Sequence, residues 1–317
     1  MISYILVNYN TKKITYQTIQ SIINTQSRCY YEIILVDNGS TDGSKEFFEN
    51  LIGTLENFKY IYNNKNLGFS KANNIGFNYS KGNYIYILNS DTILNTENIN
   101  IIVQEKFKKY NNIGLLATKV NYSDGTPQPN VQAFSNLYTI VFRLLKIGHF
   151  IRNKKLLLKL FKLLPYKLSI VEIYLKNFNK INKDDFIDWA SGCSLIFRRE
   201  IYEKLGGFDE NFFMYTEDEE ICYRIHQFGY KILYTPDIAI AHFAGKSNIN
   251  KEINEFILKE QIKSEFFYYK KHFPEKIKKL KIIYNIITYL GSPFSSRLKL
   301  IRKKYIELIN EKNIIFI

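Results

Sequence analysis

Short apolar runs that end in polar residues alternate with helical patterns over the first part of the chain. Strands are predicted where β-branched and aromatic residues cluster, at Ile2–Val7, at Glu32–Val36, near Tyr60 and at Tyr84–Leu88. Helices are predicted between them, from Thr11 as N-cap through Ile14, Ile19, Ile22 and Ile23, at Ser44–Leu51 and at Ala72–Tyr79. This alternation is typical of a mostly parallel sheet flanked by helices, the α/β class of fold.

The later part of the chain continues the alternation after a basic, leucine-rich interruption. The elements predicted there are a helix at Glu97–Tyr110, strands at Ile113–Thr118 and Ser194–Phe197, a helix at Arg199–Leu205 ended by Gly206 and Gly207, and two closing strands at Ile232–Tyr234 and Ile238–Ala241. A helix begins at the acidic run 217–220. Pro293 is expected to divide the remaining tail into two helices.

Small polar residues and an acid follow the predicted strand at Tyr84–Leu88, in the order Asn89, Ser90, Asp91. In open α/β sheets, ligands bind in the crevice beyond the carboxyl ends of the strands. Asp91 brings a hard oxygen ligand to that crevice, and such carboxylates hold Mg²⁺ or Mn²⁺ on substrate phosphates. Asp37 ends the second strand and can accept hydrogen bonds from a nucleoside. The alternative for Asn89–Asp91, an ordinary turn after a strand, stays open on this stretch alone.

The segment Asn63–Gly76 is too polar and too rich in glycine for a plain connection. Gly68 permits a close approach of the backbone to a ligand, and Lys71 can neutralise a phosphate. The alternative is a surface loop that caps the following helix.

Positive charge is concentrated in two segments of a chain whose formal net charge is +14. These segments are Leu137–Leu175 and the tail after Lys270. In the first, Lys155, Lys159 and Lys162 share one helical face opposite leucines, as in an amphipathic helix at a membrane interface. A helix packed on the core with a solvated lysine face is the alternative. Nucleic acid is not the expected partner, because such surfaces mix aromatic residues into the basic face.

Other features of the composition favour a cytoplasmic protein on the inner face of the cell membrane. The three cysteines have no paired spacing, which fits a reducing compartment. The amino terminus lacks a basic region and a cleavage site, so no signal peptide is expected. No apolar run reaches the roughly 18–20 residues that span a bilayer. Peripheral attachment to an anionic surface is therefore predicted.

The four consecutive acids 217–220 are more than helix capping requires, although acids in a first turn are favoured by the helix dipole. With six other stretches they resemble the family-2 glycosyltransferases, especially the rhamnosyltransferase-like members that build bacterial surface polysaccharides. The stretches, in the order of the family, are ILVNYN (5–10), VDNGSTDGS (36–44), NLGFSKANNIG (66–76), LNSDT (88–92), GCSLIFRRE (192–200), GGFDENFFMYTEDEEICYR (206–224) and HFAGKS (242–247). Each is unspecific, but seven in order carry the resemblance over residues 2–247.

The resemblance implies a GT-A fold, a Rossmann-like nucleotide-binding sheet, and a nucleotide-sugar donor held with Mg²⁺ or Mn²⁺. Asp37 matches the acid that contacts the base or ribose. Asn89 and Asp91 match the DXD motif, with the first acid replaced by Asn, so the metal role falls to Asp91. His242 matches a position that in some relatives helps hold the metal or the diphosphate; the alternative is an ordinary strand-end histidine. The remaining residues expected at the donor are Asn8, Asn10, Asn66, Gly68, Lys71 and Ser90.

The resemblance also implies an inverting mechanism with one general base in the Glu-Asp pair. Asp218 is the predicted base, and Glu217 is the alternative, because adjacent acids cannot be separated by sequence. Trp189 is expected to stack on the acceptor sugar, with packing in the core as the alternative. Four regions are expected: a donor half at 1–120, a basic helical insertion at 121–184, an acceptor half at 185–250 and a basic helical tail at 251–317.

The predicted activity is transfer of rhamnose or another hexose from a UDP- or dTDP-sugar to a saccharide or a lipid-linked acceptor. A sugar nucleotidyltransferase is disfavoured, since ILVNYNTKK lacks a glycine-rich phosphate loop. A membrane-associated protein that binds nucleotide sugars without turnover is disfavoured because both Asp91 and the Glu-Asp pair are present.

Overall fold

The computed structural model of the chain describes residues 1–26, 30–146, 182–243 and 255–311, and the backbone alone of 251–254. The predicted amphipathic helix with Lys155, Lys159 and Lys162 lies outside these residues, as do Cys29 and residues 245–247. The described residues divide into two compact units. The first contains 1–132, 182–213 and 217–243, and the second contains 133–146, 214–216 and 251–311.

The first unit is built on a mixed sheet that is nine-stranded in the described residues. Its strands are β1 Ile2–Asn8, β2 Tyr31–Asp37, β3 Phe58–Tyr62, β4 Tyr84–Leu88, β5 Thr92–Leu94, β6 Ile113–Tyr122, β8 Asp185–Ile187, β10 Ser194–Arg198 and β11 Lys231–His242, while β7 Val131–Gln132 and β9 Trp189–Ala190 pair separately. The order is β3-β2-β1-β4-β10-β6-β11-β5, with β8 paired to β11. Strands β1 to β4 are mutually parallel, as predicted.

Helices cover both faces of the sheet. In the first unit they are α1 Lys12–Thr25, α2 Ser44–Glu49, α3 Phe69–Asn78, α4 Ile99–Lys109, α6 Arg199–Leu205 and α7 Glu217–Gln227. One face packs Tyr4 and Leu6 against Ile22 of α1 and Val103 of α4, and the other packs Ile34 and Val36 against Ala72 of α3. Because both faces are buried, the strands read as continuous apolar runs. The α/β fold class is confirmed.

Strand β10 departs from a purely parallel arrangement. It is inserted between β4 and β6 and runs antiparallel to both, with Ser194 opposite Leu88 and Leu195 opposite Ala117. Its first residues therefore lie beside the carboxyl end of β4.

Two local predictions are wrong. The two closing strands are one strand, β11, which keeps its pairing with β6 across a register shift between Thr235 and Ala239. The shift contains Pro236, which has no amide hydrogen for the ladder. Thr11 precedes α1 but makes no side-chain cap, because its hydroxyl donates to Asn8 Oδ1 at 2.8 Å. Asp42 instead accepts the Lys12 amide at 2.9 Å.

The first unit extends further along the chain than the sequence suggested. Strand β6 continues to Tyr122, and β7 pairs with β9 at Val131 and Ala190. Residues 121–132, which the sequence assigned to the basic insertion, thus belong with the sheet.

The second unit is helical. It contains α5 Leu137–Leu144, α8 Lys251–His272, a 3₁₀ turn at Pro274–Lys276, α9 Ile277–Gly291 and α10 Ser296–Asn310. The rings of Phe266, Tyr284 and Tyr305 pack together, with centroids 5.1 to 5.6 Å apart. Pro293 lies between α9 and α10, as predicted. Of the helices in the described ranges, none combines the length and apolarity needed to cross a bilayer.

Candidate active site

The predicted site residues lie at one edge of the sheet, where β1, β2 and β4 end. The parallel register places Asn8 opposite Asp37, and Asn89–Asp91 follow β4 directly. The strand order reverses at β1, which has β2 on one side and β4 on the other. Such a reversal opens a crevice at the carboxyl ends of the strands.

Asp37 is the centre of a buried polar network. Its Oδ2 accepts a hydrogen bond from Asn8 Nδ2 at 2.8 Å, and its Oδ1 accepts the Ser40 amide at 2.7 Å. Ser40 Oγ in turn accepts Asn8 Nδ2 at 3.0 Å and the Asn10 amide at 2.9 Å. Asn8 and Asp37 are both fully buried. Asp37 therefore holds the loops that follow β1 and β2 in one conformation.

A second network ties the polar segment after β3 to the end of β2. Asn38 Nδ2 donates to Asn66 Oδ1 at 3.1 Å and to the Gly68 carbonyl at 3.0 Å. Asn66 Oδ1 also accepts the Gly68 amide at 2.9 Å. Gly68 has a φ of +87°, and a Cβ there would lie 2.4 Å from the carbonyl oxygen of Phe213. Only glycine fits at this position, which explains the glycine at the start of α3.

Lys71 lies on the first turn of α3 and is about half exposed. Its Nζ pairs with Glu210 Oε2 at 3.2 Å. An ion pair between two exposed groups is weak, so Lys71 can exchange this partner for an anionic ligand. Its phosphate contact stays a prediction.

Asn89, Asp91 and His242 meet beyond the end of β4. His242 Nε2 is 3.1 Å from Asp91 Oδ1 and 3.4 Å from Asn89 Nδ2. Its other ring nitrogen, Nδ1, is 3.2 Å from Gln128 Oε1. Ser90 is buried, and its backbone carbonyl accepts the Thr18 hydroxyl at 2.8 Å, so a contact of Ser90 with the donor stays a prediction. The strand-end histidine is thus held against the predicted metal residue from two sides.

Asp91 and His242 have the chemistry of a divalent cation site. Among the residues that the structure describes, no three acidic, histidine or cysteine side chains gather closely enough to hold a metal alone. Mg²⁺ and Mn²⁺ in phosphate-transfer sites commonly take one or two protein ligands and complete their shell with phosphate oxygens and water. The pair fits such a cation, because Asp91 keeps nearly a third of its side chain exposed.

The acidic pair begins α7. Asp218 Oδ2 accepts the Gly192 amide at 3.0 Å, and Oδ1 accepts the amide of Glu219 at 2.9 Å. Burial raises the pKa of Asp218, although these two amides act in the opposite direction. Burial, together with the charge of Asp218, raises the pKa of Glu217 well above its usual range. Glu217 Oε2 is buried without a hydrogen-bond partner in the described residues.

The backbone that leads into α7 is strained. Tyr215 and Thr216 both have positive φ angles, 69° and 68°. This conformation costs energy for residues other than glycine, and it is found most often at functional sites.

The start of β10 is hydrogen-bonded both to the segment that follows β4 and to the acidic pair of α7. The Asn89 amide donates to the Cys193 carbonyl at 3.0 Å, and the neighbouring Gly192 amide donates to Asp218. Burial raises the pKa of the Cys193 thiol to about 12, and the charges of Asp91 and Asp218 add to this effect. Gly192 and Cys193 therefore link the residues after β4 to the first turn of α7, at the carboxyl end of β4.

Trp189 lies on β9 and is only 9% exposed. Its strand pairs with Gln132 of β7. Most of the Trp189 side chain is therefore packed inside the protein. Its stacking on an acceptor sugar stays a prediction.

Four residues of the site did not figure in the sequence analysis as site residues. Ser40 and Asn38 lie within the motif at 36–44, so the motif itself was their signal. Gly192 contributes a backbone amide, which sequence patterns do not reveal. Gln128 carries no local signal, because it reaches His242 only through the fold.

The family model for glycosyl transferase family 2 matches residues 3–206. The chain belongs to this family, which confirms the resemblance carried by its motifs. The chain is similar to the rhamnosyltransferase WbbL of Escherichia coli K12, with 25% identity over 245 residues that cover 68% of this chain and 84% of the relative. It is also 24% identical over 235 residues to a poly-beta-1,6-N-acetyl-D-glucosamine synthase of Staphylococcus epidermidis, covering 74% of this chain and 48% of that protein.

Among solved structures, the chain resembles GalNAc-T7 crystallised with UDP, GalNAc and Mn²⁺. The TM-score is 0.57 at 17% identity, covering 90% of this chain and 55% of that chain. At this identity the likeness concerns the fold alone, and it confirms the GT-A architecture. The chain spans about half the length of GalNAc-T7 and of the Staphylococcus synthase.

The buried carboxyl of Glu217, whose Oε2 has no hydrogen-bond partner in the described residues, gives a pH-dependent stability prediction. Because its pKa is raised in the folded protein, the fold retains a proton that the unfolded chain releases above pH ~4.3, and stability falls as pH rises. Glu217→Gln removes this loss. The melting temperature of the variant relative to the parent should therefore increase between pH 4 and pH 8.

Glu200→Gln, on the exposed first turn of α6, is the control and should show no such trend. If the difference in melting temperature between Glu217→Gln and the parent is constant from pH 4 to pH 8, the pKa of Glu217 is not raised in the folded protein.

Proposed function

We propose that the protein is an inverting glycosyltransferase that moves a sugar from a nucleotide-diphosphate donor to an acceptor hydroxyl. The observation that carries the proposal is the junction at Gly192 and Cys193. There Asn89, two residues before the proposed metal residue Asp91, and the predicted base Asp218 are hydrogen-bonded to neighbouring residues of one short stretch of backbone. A transfer reaction needs these two functions side by side, one at the leaving group and one at the attacking hydroxyl.

In the proposed reaction, Asp218 accepts the proton of the acceptor hydroxyl while its oxygen attacks the anomeric carbon. A new carbon–oxygen bond forms, and the bond from the anomeric carbon to the diphosphate breaks with its electron pair on the departing oxygen. Two amides hold the carboxylate of Asp218 in a fixed orientation. Burial raises its pKa, which makes it a stronger base than an exposed aspartate.

Asp218, in preference to Glu217, is the proposed base. A general base must be ionised before it accepts a proton, and the Gly192 and Glu219 amides stabilise the ionised form of Asp218. Glu217 Oε2 has no such donor in the described residues, and the charge of Asp218 further favours its protonated form. We therefore propose that Asp218 is the more readily ionised of the two acids.

For the donor, we propose that Asp37 acts mainly as a positioning residue. Its carboxylate is fully buried and is engaged by Asn8 and Ser40. The loops that Asp37 holds carry Asn10, and the neighbouring network carries Asn66 and Gly68. We propose that these three residues contact the donor. Lys71 is available at the edge for a phosphate.

Asp91 and His242, with Asn89 beside them, are proposed to hold Mg²⁺ or Mn²⁺. Such a cation, when bound, would neutralise charge on the diphosphate leaving group. The Mn²⁺ in the GalNAc-T7 structure, which shares this fold, supports a divalent ion.

The wider role that we propose is synthesis of a bacterial surface polysaccharide at the cytoplasmic face of the cell membrane. WbbL supports rhamnose as the transferred sugar, and the N-acetylglucosamine polymer synthase supports another hexose derivative. UDP in the GalNAc-T7 structure supports a UDP-sugar, with a dTDP-sugar as the other option. The basic helical segments favour attachment to anionic lipid and thus a lipid-linked or saccharide acceptor there.

A panel of UDP-, dTDP- and GDP-sugars tests the activity directly. Purified protein with Mn²⁺ or Mg²⁺ should slowly hydrolyse at least one donor, since water can replace the acceptor, and nucleotide diphosphate should accumulate. If no nucleotide sugar is either bound or hydrolysed, the proposed function is wrong.

Replacing the proposed metal ligand Asp91 should abolish activity. Asp91→Asn deletes the charge of the proposed cation ligand, so we expect near-complete loss of turnover and weaker Mn²⁺ binding by calorimetry in the presence of UDP. Glu46→Gln on the exposed face of α2 is the control and should behave as the parent. Full turnover of the parent protein in EDTA would contradict a metal role.

Binding and proton transfer should separate between two aspartates. Asp37→Ala should weaken donor binding, because the loops after β1 and β2 lose their common acceptor. Asp218→Asn should retain donor affinity and lose ~10²-fold or more in rate, the scale of a general base. An active Asp218→Asn together with an inactive Glu217→Gln would move the base to Glu217.

A further inference from the structure

Helices α9 and α10 of the second unit, together with the turn that joins them, expose a strip of large apolar side chains. Its members and their exposed fractions are Phe294 90%, Leu290 62%, Tyr289 61%, Ile282 55%, Ile286 52%, Ile306 40% and Ile309 40%. Single exposed apolar residues are ordinary on a soluble protein, but a contiguous group of this kind marks an interaction surface.

The two helices are antiparallel, which places these side chains next to one another. Gly291 at the end of α9 lies against Leu298 on the first turn of α10, and the Tyr284 and Tyr305 rings pack 5.3 Å apart. A shallow groove of about 370 Å³ runs between the helices. Its lining residues are Asn285, Ile286, Tyr289, Leu290, Arg302 and Ile306.

Positive charge borders the strip at both ends. Lys278 and Lys279 are exposed on the first turn of α9, and Lys299 is exposed on the first turn of α10. Within the described residues, no acidic side chain pairs with any of the three. The guanidinium of Arg302 lies 4.4 Å above the Tyr289 ring, at the groove itself. Residues 270–311 contain eleven lysines and arginines against three acids.

We propose that this strip, residues 282–309 on α9 and α10, docks the protein on an anionic lipid bilayer. Apolar and tyrosine side chains with lysines at the margin are the composition of a surface that lies at the boundary between headgroups and acyl chains. Each lysine near an anionic leaflet strengthens the attachment electrostatically. The inference rests on the proposed membrane association and names the surface responsible for it.

Charge distinguishes the bilayer from other occupants. A second copy of this strip would bring Lys278, Lys279 and Lys299 of two molecules together, and like charges repel. Residues 147–181 of the same chain are themselves strongly basic, with Glu172 as their sole acid. An anionic surface is the partner that complements both the apolar strip and its borders.

Vesicle sedimentation tests the surface. The parent protein should bind vesicles containing phosphatidylglycerol, bind pure phosphatidylcholine weakly, and dissociate as salt is raised. Ile286→Ser with Leu290→Ser should weaken binding about tenfold or more. Ile52→Ser with Ile101→Ser, a pair of similar exposure in the first unit, should leave it unchanged. Lys278→Glu with Lys279→Glu should weaken binding to the anionic vesicles only.

A tryptophan reporter distinguishes lipid from protein contacts. Leu290→Trp should shift its emission to shorter wavelength on adding anionic vesicles and should be quenched by brominated acyl chains, whereas Ile101→Trp should not. Emission that is already shifted in buffer would show that the protein's own chain or a second copy covers the strip. That result, or equal vesicle binding by parent and Ile286→Ser/Leu290→Ser, would overturn the proposal.

Donor hydrolysis keeps this inference separate from the proposed activity. The Ile286→Ser/Leu290→Ser protein should hydrolyse donor at the parent rate in solution, because both changes lie on α9 of the second unit. Asp218→Asn should bind vesicles as the parent does. Substitutions in the strip are thus expected to reduce vesicle binding without reducing hydrolysis. Substitutions in the active site are expected to reduce hydrolysis without reducing vesicle binding.

Discussion

The hydrogen bonds between β10 and β4 are the constraint on which the site depends. Because β10 runs antiparallel to β4, the residues that enter it, Gly192 and Cys193, lie at the carboxyl end of β4. One carbonyl there fixes Asn89, and one amide fixes Asp218. A parallel strand at this position would present its carboxyl end instead, and α7 would lose its link to the end of β4.

Buried hydrogen-bond networks position the other loops of the site. The amide–carboxylate network around Asp37 and the asparagine network around Asn38 use their hydrogen-bonding capacity within the protein. Satisfied networks of this kind fix one conformation of loops that would otherwise be mobile. Glu217 is the exception, because one of its buried carboxyl oxygens has no donor in the described residues. The site therefore holds two adjacent acids in different hydrogen-bonding environments.

The strands before Asp37 and Asn89 were predictable, because an apolar run with a polar end is a local signal and parallel strands share an edge. Gly68 was predicted to permit a close approach of its backbone to a ligand. The group that approaches it in the structure, the Phe213 carbonyl, could not be predicted. The direction of β10 and the contact of Gln128 with His242 could not be predicted from patterns. Both depend on pairings between segments that are distant in sequence, and a short apolar run carries no information about its orientation.

The proposed arrangement has Asp91 and His242 hold the donor's cation in the site that also contains Asp218. Anomalous diffraction from crystals containing Mn²⁺ and UDP tests it most directly, because the ion is located without reference to activity. We expect one Mn²⁺ peak within coordinating distance of Asp91 Oδ1 and His242 Nε2, with the diphosphate on the same ion. A peak held by other residues, or UDP bound at this edge of the sheet without an ion, would contradict it.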